Sequence, residues 1–540
     1  MSATAIRIAI LADSPLLSTW ENEILRRIAS RHPNVEFSLI TLDGSGPENS
    51  SFAKALRRLP FRLVRKLELI KLRRSPLHMA ALERQLISIS IDRSVTVVPK
   101  WSDSGHSWWL TDTDCRVVRD LNAHVIIRMC SGIIRGELLN LSNYGILSLH
   151  HGDNQRYRGL PPGFWEVLES RPVSGYVVQR LCDELDGGSV IASGAVATQT
   201  YALRNQSHLF LNSVPAFVEV LHYLISNESL PPAKPSLPYT RQLYREPGPR
   251  DMGRYVRLQL TRLVKKGLSR LPGRREAWSV GIVRQPWNQA VLWRSKEISP
   301  APNTWLADPF LTHWNNQDLC FVEEFLEREG RGRIAVFDLS GGQQQRVGVA
   351  LEDEGHFSFP FTFVLNEELF MVPETIDKNQ IRLYRCLGDP REWTLHKVLV
   401  DGIRAADTQV FHLDGYWYML TNEDREGTGD FASNLSVFWS RGLFDGTWSR
   451  ISPLSVVADP ECQRNGGLLF SGSRLFRVGQ VSDFDSYGSS FKILEITDIS
   501  PEQYSERAIQ RVHPDFRSDI KGTHHLTGTG QLTAVDMYRS

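Results

Sequence analysis

Roughly the first 200 residues alternate short apolar segments with helical segments. Apolar runs lie at 6–12, 35–42, 124–129, 145–151, 174–181 and 188–196, and a helical pattern follows the first run through Leu25 and Ile28. Strands that alternate with helices predict an α/β domain with a mostly parallel sheet. Residues 206–226 have a further helical pattern, after which the composition changes.

The segment after this helix is rich in proline. Six of the nineteen residues from 231 to 249 are proline, which predicts a connection with little helix. We therefore place an α/β domain at 1–230, a proline-rich and basic connection at 231–275, and an all-β domain at 276–540. A chain of 540 residues is long enough for more than one such core.

From Trp278 onward the pattern consists of short, aromatic-rich strands separated by turns. Similar blocks recur at intervals of roughly 50 to 60 residues, namely ADPF at 307, FSFPF at 357, ADTQV at 406, RNGGLLF at 464 and GTHHL at 522. Five repeats of this kind predict a five-bladed β-propeller, and a pair of β-sandwiches is the alternative. The helical pattern near 501–508 predicts a short helix.

Composition and charge exclude several classes of protein. Lys and Arg total 62 and Asp and Glu total 61, so a net charge of +1 gives no reason to expect a nucleic-acid partner. The six cysteines include no CxxC pair, which argues against a cysteine zinc site and a dense disulfide framework. With no continuous apolar run of membrane-spanning length and no signal-peptide pattern, we expect a cytoplasmic protein, either free or at a membrane surface.

The segment 145–194 carries the most informative motifs. A strand ends in Ser148-Leu149-His150, the triplet at 157–159 is Tyr-Arg-Gly, and Leu-Asp-Gly-Gly begins at 185, with its aspartate 36 residues after His150. Together these motifs resemble the formyltransferase family that uses 10-formyltetrahydrofolate, over roughly residues 5–200. The resemblance implies a Rossmann-like domain that moves a formyl group to an amine, with 10-formyltetrahydrofolate as the donor.

The same resemblance implies a role for each motif residue. His150 would be the acid/base and oxyanion partner, Asp186 would orient it and relay protons, and Ser148 stands where the family has asparagine. The folate would be bound by Met129, Cys130, Ser131, Gly132, Leu185 and Gly187. The acceptor would be bound by Asp153, Asn154, Tyr157, Arg158 and Gly159.

Formyl transfer needs these residue types because it passes through a tetrahedral oxyanion, which hydrogen-bond donors and an imidazolium stabilise. Two departures from the family matter. Ser148 reaches less far than asparagine, and residues 151–155 replace the usual loop with His-Gly-Asp-Asn-Gln. An unusual acceptor, altered acyl chemistry and an inactive site all remain open, as does a hydrogen-bonded core role for His150. We expect no metal in this domain.

The propeller blocks resemble the N-terminal domain of plant glucosamine inositolphosphorylceramide transferases, which is distantly similar to five-bladed glycoside hydrolases. Since the innermost strands of a propeller meet at its axis, we expect polar residues of the blocks to converge there. Carboxylates on separate blades suit glycoside hydrolysis, sugar binding without turnover, or structural capping of the blades. The candidate residues are Asp308, Glu374, Asp407, Arg464, Asn465, His524 and His525.

These motifs lead to one principal function and two alternatives. The principal function is transfer of a formyl group from 10-formyltetrahydrofolate to an amino sugar, linked to a nucleotide or a lipid. The alternatives are a propeller-based glycoside hydrolase, and a non-catalytic glycan-binding protein with a degenerate formyltransferase domain. The expected partners are a folate and an amino-sugar substrate, with no nucleic acid.

Two basic segments indicate a further partner. Residues 54–74 contain nine Lys or Arg and one acid, and residues 254–275 contain eight and none. Because both segments carry apolar residues at near-helical spacing, they predict peripheral association with an anionic membrane. A solvated basic face and an interdomain contact are the alternatives. Pro60 argues against one continuous helix in the first segment.

Overall fold

The computed structural model describes residues 6–44, 52–183, 188–235, 238–268, 277–456, 459–484 and 486–539. The chain divides into two units, Met1–Thr261 and Arg262–Ser540. Residues of the predicted connection up to 261 therefore belong to the N-terminal unit, and those from 262 to the C-terminal unit.

The N-terminal unit alternates strands and helices, and its last helix, α7, continues past the end of the unit. In chain order the elements are β1 (Arg7–Ala12), β2 (Leu16–Ser18), α1 (Thr19–Arg31), β3 (Glu36–Leu42), α2 (Phe52–Leu72), α3 (Pro76–Ala80), β4 (Arg84–Leu86), β5 (Arg93–Val97), β6 (Lys100–Trp101), β7 (Ser107–Trp109), α4 (Asp112–Arg119), β8 (Val125–Met129), β9 (Ile133–Ile134), β10 (Ile146–His150), α5 (Phe164–Leu168), β11 (Val173–Arg180), β12 (Ser189–Ala197), α6 (Ala202–Asn227) and α7 (Pro249–Leu268).

A seven-stranded sheet organises this unit, with the strand order β12–β11–β10–β8–β1–β3–β5. The strands from β10 to β5 are parallel to one another, whereas β11 and β12 pair antiparallel. The central strands β1 and β8 are almost entirely buried. Burial on both faces explains why their sequences are nearly continuous apolar runs. Their carboxyl ends place residues 13 and 129–132 at one edge of the sheet.

Helix α6 is long and apolar enough to cross a membrane, judged by length and composition alone. It contacts β11, β12 and α1, and it buries polar as well as apolar side chains. The buried Asn205 amide donates to the Gly163 carbonyl and the Ser174 hydroxyl, each at 2.9 Å. Such internal polar contacts are those of a core helix.

Helix α2 runs without interruption from Phe52 to Leu72 with Pro60 inside it. The expectation that Pro60 would break this helix was therefore wrong. Contacts on the inner face of the helix offset the lost backbone hydrogen bond. The buried Glu68 carboxylate accepts a hydrogen bond from the Leu203 backbone N–H at 2.8 Å and another from the Tyr255 hydroxyl of α7.

The strands of the C-terminal unit continue the numbering. They are β13 (Ala277–Val283), β14 (Lys296–Ile298), β15 (Thr304–Trp314), β16 (Gln317–Leu326), β17 (Arg331–Asp338), β18 (Gln345–Leu351), β19 (Ser358–Leu365), β20 (Glu368–Glu374), β21 (Gln380–Cys386), β22 (Trp393–Asp401), β23 (Ala405–Leu413), β24 (Tyr416–Glu423), β25 (Leu435–Ser440), β26 (Ser449–Arg450), β27 (Asn465–Ser471), β28 (Arg474–Asp483), β29 (Ser486–Ile499), β30 (Tyr504–Val512), β31 (Leu526–Gly528) and β32 (Thr533–Arg539).

These strands form a five-bladed propeller in the part of the unit that the structure describes. Four blades consist of consecutive strands, β15 to β18, β19 to β22, β23 to β26 and β27 to β30. The remaining blade joins both ends of the unit in the order β14–β13–β32–β31. The innermost strands β15, β19, β23, β27 and β31 each contact the next, and β31 contacts β15. The ring is therefore closed, which confirms the predicted propeller and excludes a pair of sandwiches.

The repeated sequence blocks lie on the innermost strands or within a few residues before them. One local prediction in this domain was wrong, because residues 504–512 form strand β30 instead of the short helix expected near 501–508. Strand β30 pairs antiparallel with β29 along its length, with Leu494 opposite Ala508. Backbone pairing at the edge of the blade has overridden the local helical pattern.

Candidate functional site

The innermost strands of four blades carry a bulge at the equivalent position. The pairing of β15, β19, β23 and β27 with the following strand shifts there, and in the first three the backbone is left-handed at Asp308 (φ 48°), Phe359 (φ 45°) and Asp407 (φ 51°). A residue other than glycine costs about 1–3 kcal/mol in that conformation. Bulges re-aim side chains, so strained backbone sets the direction of both aspartates.

Asp308 lies within a buried group of carboxylates and imidazoles. Its Oδ1 atom is 3.3 Å from His524 Nε2 and 3.5 Å from His525 Nδ1. On the other side of the His524 ring, Nδ1 is 2.6 Å from Asp536 Oδ2. The Asp536 Oδ1 atom accepts the backbone N–H groups of both histidines, at 2.8 and 3.0 Å. Asp536 therefore holds the two histidines in place, and the His524 ring lies between two carboxylates.

The charges in this group oppose the effect of burial. Burial acts to raise the pKa of Asp308, but the imidazoles of His524 and His525 hold this pKa below its usual range. Burial likewise acts to lower the pKa of His524, but the Asp536 and Asp308 carboxylates raise it to about 10. At neutral pH, Asp308 is thus a carboxylate and His524 an imidazolium.

Two further buried carboxyl groups behave in the opposite way. Burial and the Asp407 charge, partly offset by Arg464, raise the pKa of Glu374 to about 8. Burial and the neighbouring Asp308 and Glu374 carboxylates raise the pKa of Glu323 well above its usual range. The group therefore combines the ionised Asp308 with the protonated carboxyl groups of Glu323 and Glu374, which is the division of roles that acid/base chemistry and sugar binding both use.

Arg464 connects two of the acidic residues. Its guanidinium contacts Asp407 Oδ2 at 2.5 Å and lies 3.9 Å from Glu374 Oε2. The Asn465 amide donates to the Asp407 carbonyl at 2.9 Å, and the Arg464 guanidinium lies 5.2 Å from the centre of the Tyr487 ring. Asp407 is thus held in an ion pair and is not a free carboxylate.

The structure brings the predicted propeller residues close enough to affect one another's charge. Sequence reasoning missed Glu323, Asp536 and Gln480, whose amide donates to the Asn465 carbonyl at 2.5 Å. One signal was available, because Glu323 and Glu374 occupy the same register, opposite Ala307 and Ser358 on the preceding strands. Asp308, His524 and Asp536 are also the described residues whose ligand atoms, within 4.8 Å of one another, could hold a cation.

In the N-terminal unit, the predicted folate segment lies at the carboxyl end of β8. The Ser131 backbone N–H donates to both oxygens of Asp13, at 3.2 and 3.1 Å. The Arg128 guanidinium donates to the Gly132 carbonyl at 2.7 Å and to the Ser148 hydroxyl at 3.3 Å. Asp13 and Arg128 were missed by the sequence analysis, because nothing in either local pattern marks them. Met129 is buried, and burial raises the pKa of the Cys130 thiol to about 12.

His150 ends strand β10, two residues after Ser148 and on the same face of the strand. Its Nε2 lies 3.1 Å from the Tyr157 carbonyl, so the ring hydrogen is on Nε2 when this bond forms. The intervening loop folds back tightly, because a Cβ atom at Gly152 would overlap the same carbonyl oxygen. The loop thus fixes the orientation of the imidazole.

The Tyr-Arg-Gly motif is anchored within the domain. The Tyr157 hydroxyl donates to Glu169 at 2.8 Å and accepts from Arg171 at 3.0 Å, and the Arg158 guanidinium lies 3.9 Å from the centre of the Tyr239 ring. Gly159 has φ 103°, and a Cβ atom there would overlap the Tyr244 carbonyl oxygen. The motif therefore supports the loop after His150 through close packing.

The remaining predicted residues differ in how much the structure says of them. Leu185, Asp186 and Gly187 lie outside the described residues. The Asp153 carboxylate accepts the Gln155 backbone N–H at 2.9 Å, and Asn154 is buried. His151 is 3.0 Å from the Ser213 hydroxyl, and burial together with the charge of His150 lowers its pKa to about 3. The acceptor-binding role of Asp153 and Asn154 stays a prediction.

Comparison with known proteins separates the propeller from the N-terminal domain, as the fold does. Residues 278–534 match the family model described as glucosamine inositolphosphorylceramide transferase 1, N-terminal. The chain is 31% identical over 211 residues to glucosamine inositolphosphorylceramide transferase 1 of Oryza sativa subsp. japonica. That match covers 38% of this chain and 28% of the rice protein, so the chain spans less than a third of its relative. The propeller is similar to the N-terminal part of these transferases.

Two other similarities are more distant. Over 80 residues, 15% of this chain, it is 30% identical to the methionyl-tRNA formyltransferase of Agathobacter rectalis, of which 26% is covered. Among solved structures, the α-L-arabinofuranosidase of Lactobacillus brevis has a TM-score of 0.31 at 15% identity. It covers 42% of this chain and 79% of that enzyme. The first similarity is short, and neither assigns a reaction to this chain.

Proposed function

We propose that the protein transfers a formyl group from 10-formyltetrahydrofolate to the amino group of a sugar, and that the propeller binds the sugar. The observation that carries this proposal is the placement of His150. The imidazole ends strand β10, beside the end of the parallel strand β8, with Ser148 on the same strand and the Arg128 guanidinium on β8. The short similarity to a methionyl-tRNA formyltransferase is consistent with that assignment.

The residues at this edge suit the charge that develops during formyl transfer. In the proposed reaction, the amine nitrogen bonds to the formyl carbon, the bond from that carbon to the donor nitrogen breaks, and one proton passes from amine to donor. His150 would accept and return that proton. The Arg128 cation would compensate for the shorter reach of Ser148, because a charged donor stabilises an oxyanion more strongly than a hydroxyl.

The fit to the formyl donor is uneven along the predicted folate segment. The Ser131 N–H and the Gly132 carbonyl are bonded to Asp13 and Arg128. We therefore assign the folate contact to Met129 and Cys130, at the end of β8, and give Ser131 and Gly132 a supporting role. Nothing in this assignment needs a metal.

The propeller supplies the groups that a sugar requires. Carboxylates, protonated carboxyl groups, an arginine and imidazoles lie together on and beside the innermost strands, so both donors and acceptors are present for hydroxyl groups. The rice relative's name contains an amino sugar, glucosamine, and a lipid. We infer an amino-sugar acceptor linked to a nucleotide or a lipid.

A glycoside hydrolase remains the second candidate, since the raised pKa of Glu374 and the ionised Asp308 provide an acid and a base. The test is incubation of the protein with 10-formyltetrahydrofolate and a panel of amino sugars, with mass detection of products. Formylated sugar supports the proposal. Free sugar released without the folate, and lost in Asp308→Asn, supports hydrolysis. Absence of folate binding would contradict the proposed function.

A further inference from the structure

One face of helix α2 carries large apolar side chains that are exposed. Leu56, Leu59, Leu63, Leu67 and Ile70 have exposed fractions between 47% and 66%. They are spaced three or four residues apart, which places them on a single face of the helix. The opposite face is packed, since Glu68 and Leu72 are buried. The helix thus has an inner face that holds it to the domain and an outer apolar ridge.

Basic side chains accompany this ridge. Arg57, Arg58, Arg62, Arg65 and Lys66 are all exposed. Glu246 pairs with one of them, Arg58, at 2.5 Å. The helix has a single acid, Glu68, which is buried and bonded to Leu203 and to Tyr255. The solvent-facing part of the helix is therefore apolar and strongly positive.

Helix α7 repeats the arrangement beside it. Its buried Tyr255 donates to Glu68, which joins the inner faces of the two helices. On its outer side, Val256 is 41% exposed and Leu260 is 55% exposed, and the intervening Arg257 is exposed as well. We call the exposed face formed by residues 56–70 of α2 and 254–260 of α7 the basic ridge.

We propose that the basic ridge binds the surface of an anionic lipid bilayer. Leucine side chains in water gain free energy when they enter the boundary between headgroups and acyl chains, and adjacent arginines gain from the negative headgroups. The apolar side chains of this surface suit the acyl-chain region of such a membrane, and the cations that border them suit its anionic headgroups. An acidic protein partner would match the cations but leaves the row of leucines and isoleucine unexplained.

This inference goes beyond formyl transfer and does not depend on it, because binding to vesicles requires neither donor nor acceptor. It would bring the N-terminal domain to the surface where a lipid-linked acceptor resides. Failure of vesicle binding would leave formyl transfer to soluble acceptors intact, and failure of transfer would leave vesicle binding intact.

The test is cosedimentation of the intact protein with phosphatidylcholine vesicles that contain or lack phosphatidylserine, at low and at high salt. We expect binding to the anionic vesicles at low salt, and weaker binding at high salt or without phosphatidylserine. The variant Leu59→Gln/Leu63→Gln/Leu67→Gln should lower the affinity by at least about tenfold, since three apolar side chains lose their burial in lipid. Val364→Gln/Leu395→Gln/Ile509→Gln, three exposed apolar residues of the propeller, is the matched control and should bind like the wild type.

Two further measurements protect the conclusion. Should the triple leucine variant misfold by circular dichroism, Arg57→Gln/Arg62→Gln/Lys66→Gln tests the same surface through its charge, with a loss of binding of similar size and a weaker salt dependence. In Leu63→Trp, brominated lipids should quench the new fluorescence if the ridge enters the bilayer. The proposal would be overturned if the triple leucine variant and the Arg57→Gln/Arg62→Gln/Lys66→Gln variant both bound anionic vesicles as strongly as the wild type. It would also be overturned if the protein failed to bind anionic vesicles, or if the leucines instead mediated self-association in sedimentation velocity.

Discussion

The end of the N-terminal sheet and the buried polar group of the propeller both contain charged side chains and imidazoles, but in different surroundings. In the propeller, Asp308, His524 and Asp536 are buried and lie against one another. In the N-terminal domain, His150 and Arg128 are half-buried; His150 Nε2 lies 3.1 Å from the Tyr157 carbonyl, and the Arg128 guanidinium donates to the Gly132 carbonyl and the Ser148 hydroxyl. Buried charges depend on their partners for the stability of the fold, whereas half-buried groups keep part of their surface in solvent, where a substrate reaches them.

The comparison separates two kinds of consequence. A substitution in the propeller group should lower the stability of the protein as well as any sugar binding. A substitution at His150 should lower transfer and leave the free energy of unfolding nearly unchanged.

Arg464→Leu tests whether the propeller group depends on its ion pairs. Asp407 would be left buried without its partner, which typically costs about 3–5 kcal/mol of the free energy of unfolding. Chemical denaturation measures the loss. Arg474→Gln, at the exposed pair with Glu495, is the control and should have little effect. Equal stability of the two variants would mean that the buried pair does not matter to the fold.

Gly159→Ala tests whether the Tyr-Arg-Gly motif acts by close packing. The new Cβ would meet the Tyr244 carbonyl in a left-handed backbone, and we expect a loss of about 1–3 kcal/mol. Gly253→Ala, within helix α7 and with open space around it, should be neutral or slightly stabilising by comparison. A Gly159→Ala protein as stable as the wild type would refute the packing role.

The pH dependence of stability tests the charge state of His524. Its pKa is about 10 in the folded protein, above the ordinary 6.5, so its contribution is complete below pH 6.5 and is lost as the pH rises towards 10. The pKa of Glu374 is raised from 4.5 to about 8, so its contribution to the stability of the fold is also lost as the pH rises, but over the lower range from pH 4.5 to 8. Between pH 8 and 10 the wild type should therefore lose about 1 kcal/mol or more that His524→Gln does not lose. Parallel profiles would contradict the imidazolium.

Much of the fold could be predicted from the sequence because its patterns are local. The innermost propeller strands were located through their repeated blocks, and six of the seven strands of the N-terminal sheet through their apolar runs. Strand β5 (Arg93–Val97) was missed. Two further elements were predicted wrongly because distant contacts decide them. Helix α2 continues through Pro60 since Glu68 and Leu72 hold its inner face, and β30 is a strand since it pairs with β29.

The candidate sites were predictable to the extent that their residues lie in motifs. His150, Asp308 and Asp407 end or begin recognisable segments, so the sequence marks them. Asp13, Arg128 and Asp536 reach their partners across the fold, from 118, 20 and 12 residues away. Their local sequence does not distinguish them from ordinary polar residues, and only the folded structure shows which groups they hydrogen-bond.

In the proposed function, formyl transfer takes place at His150 and the propeller only binds the sugar. The most direct measurement is the single-turnover rate of formyl transfer from 10-formyltetrahydrofolate to the best amino sugar, compared for the wild type, His150→Ala and Asp308→Asn, with folding checked by circular dichroism. We predict that His150→Ala lowers the rate about 100- to 10,000-fold at saturating acceptor, and that Asp308→Asn mainly raises the acceptor concentration needed. Transfer at the wild-type rate in folded His150→Ala would contradict this account.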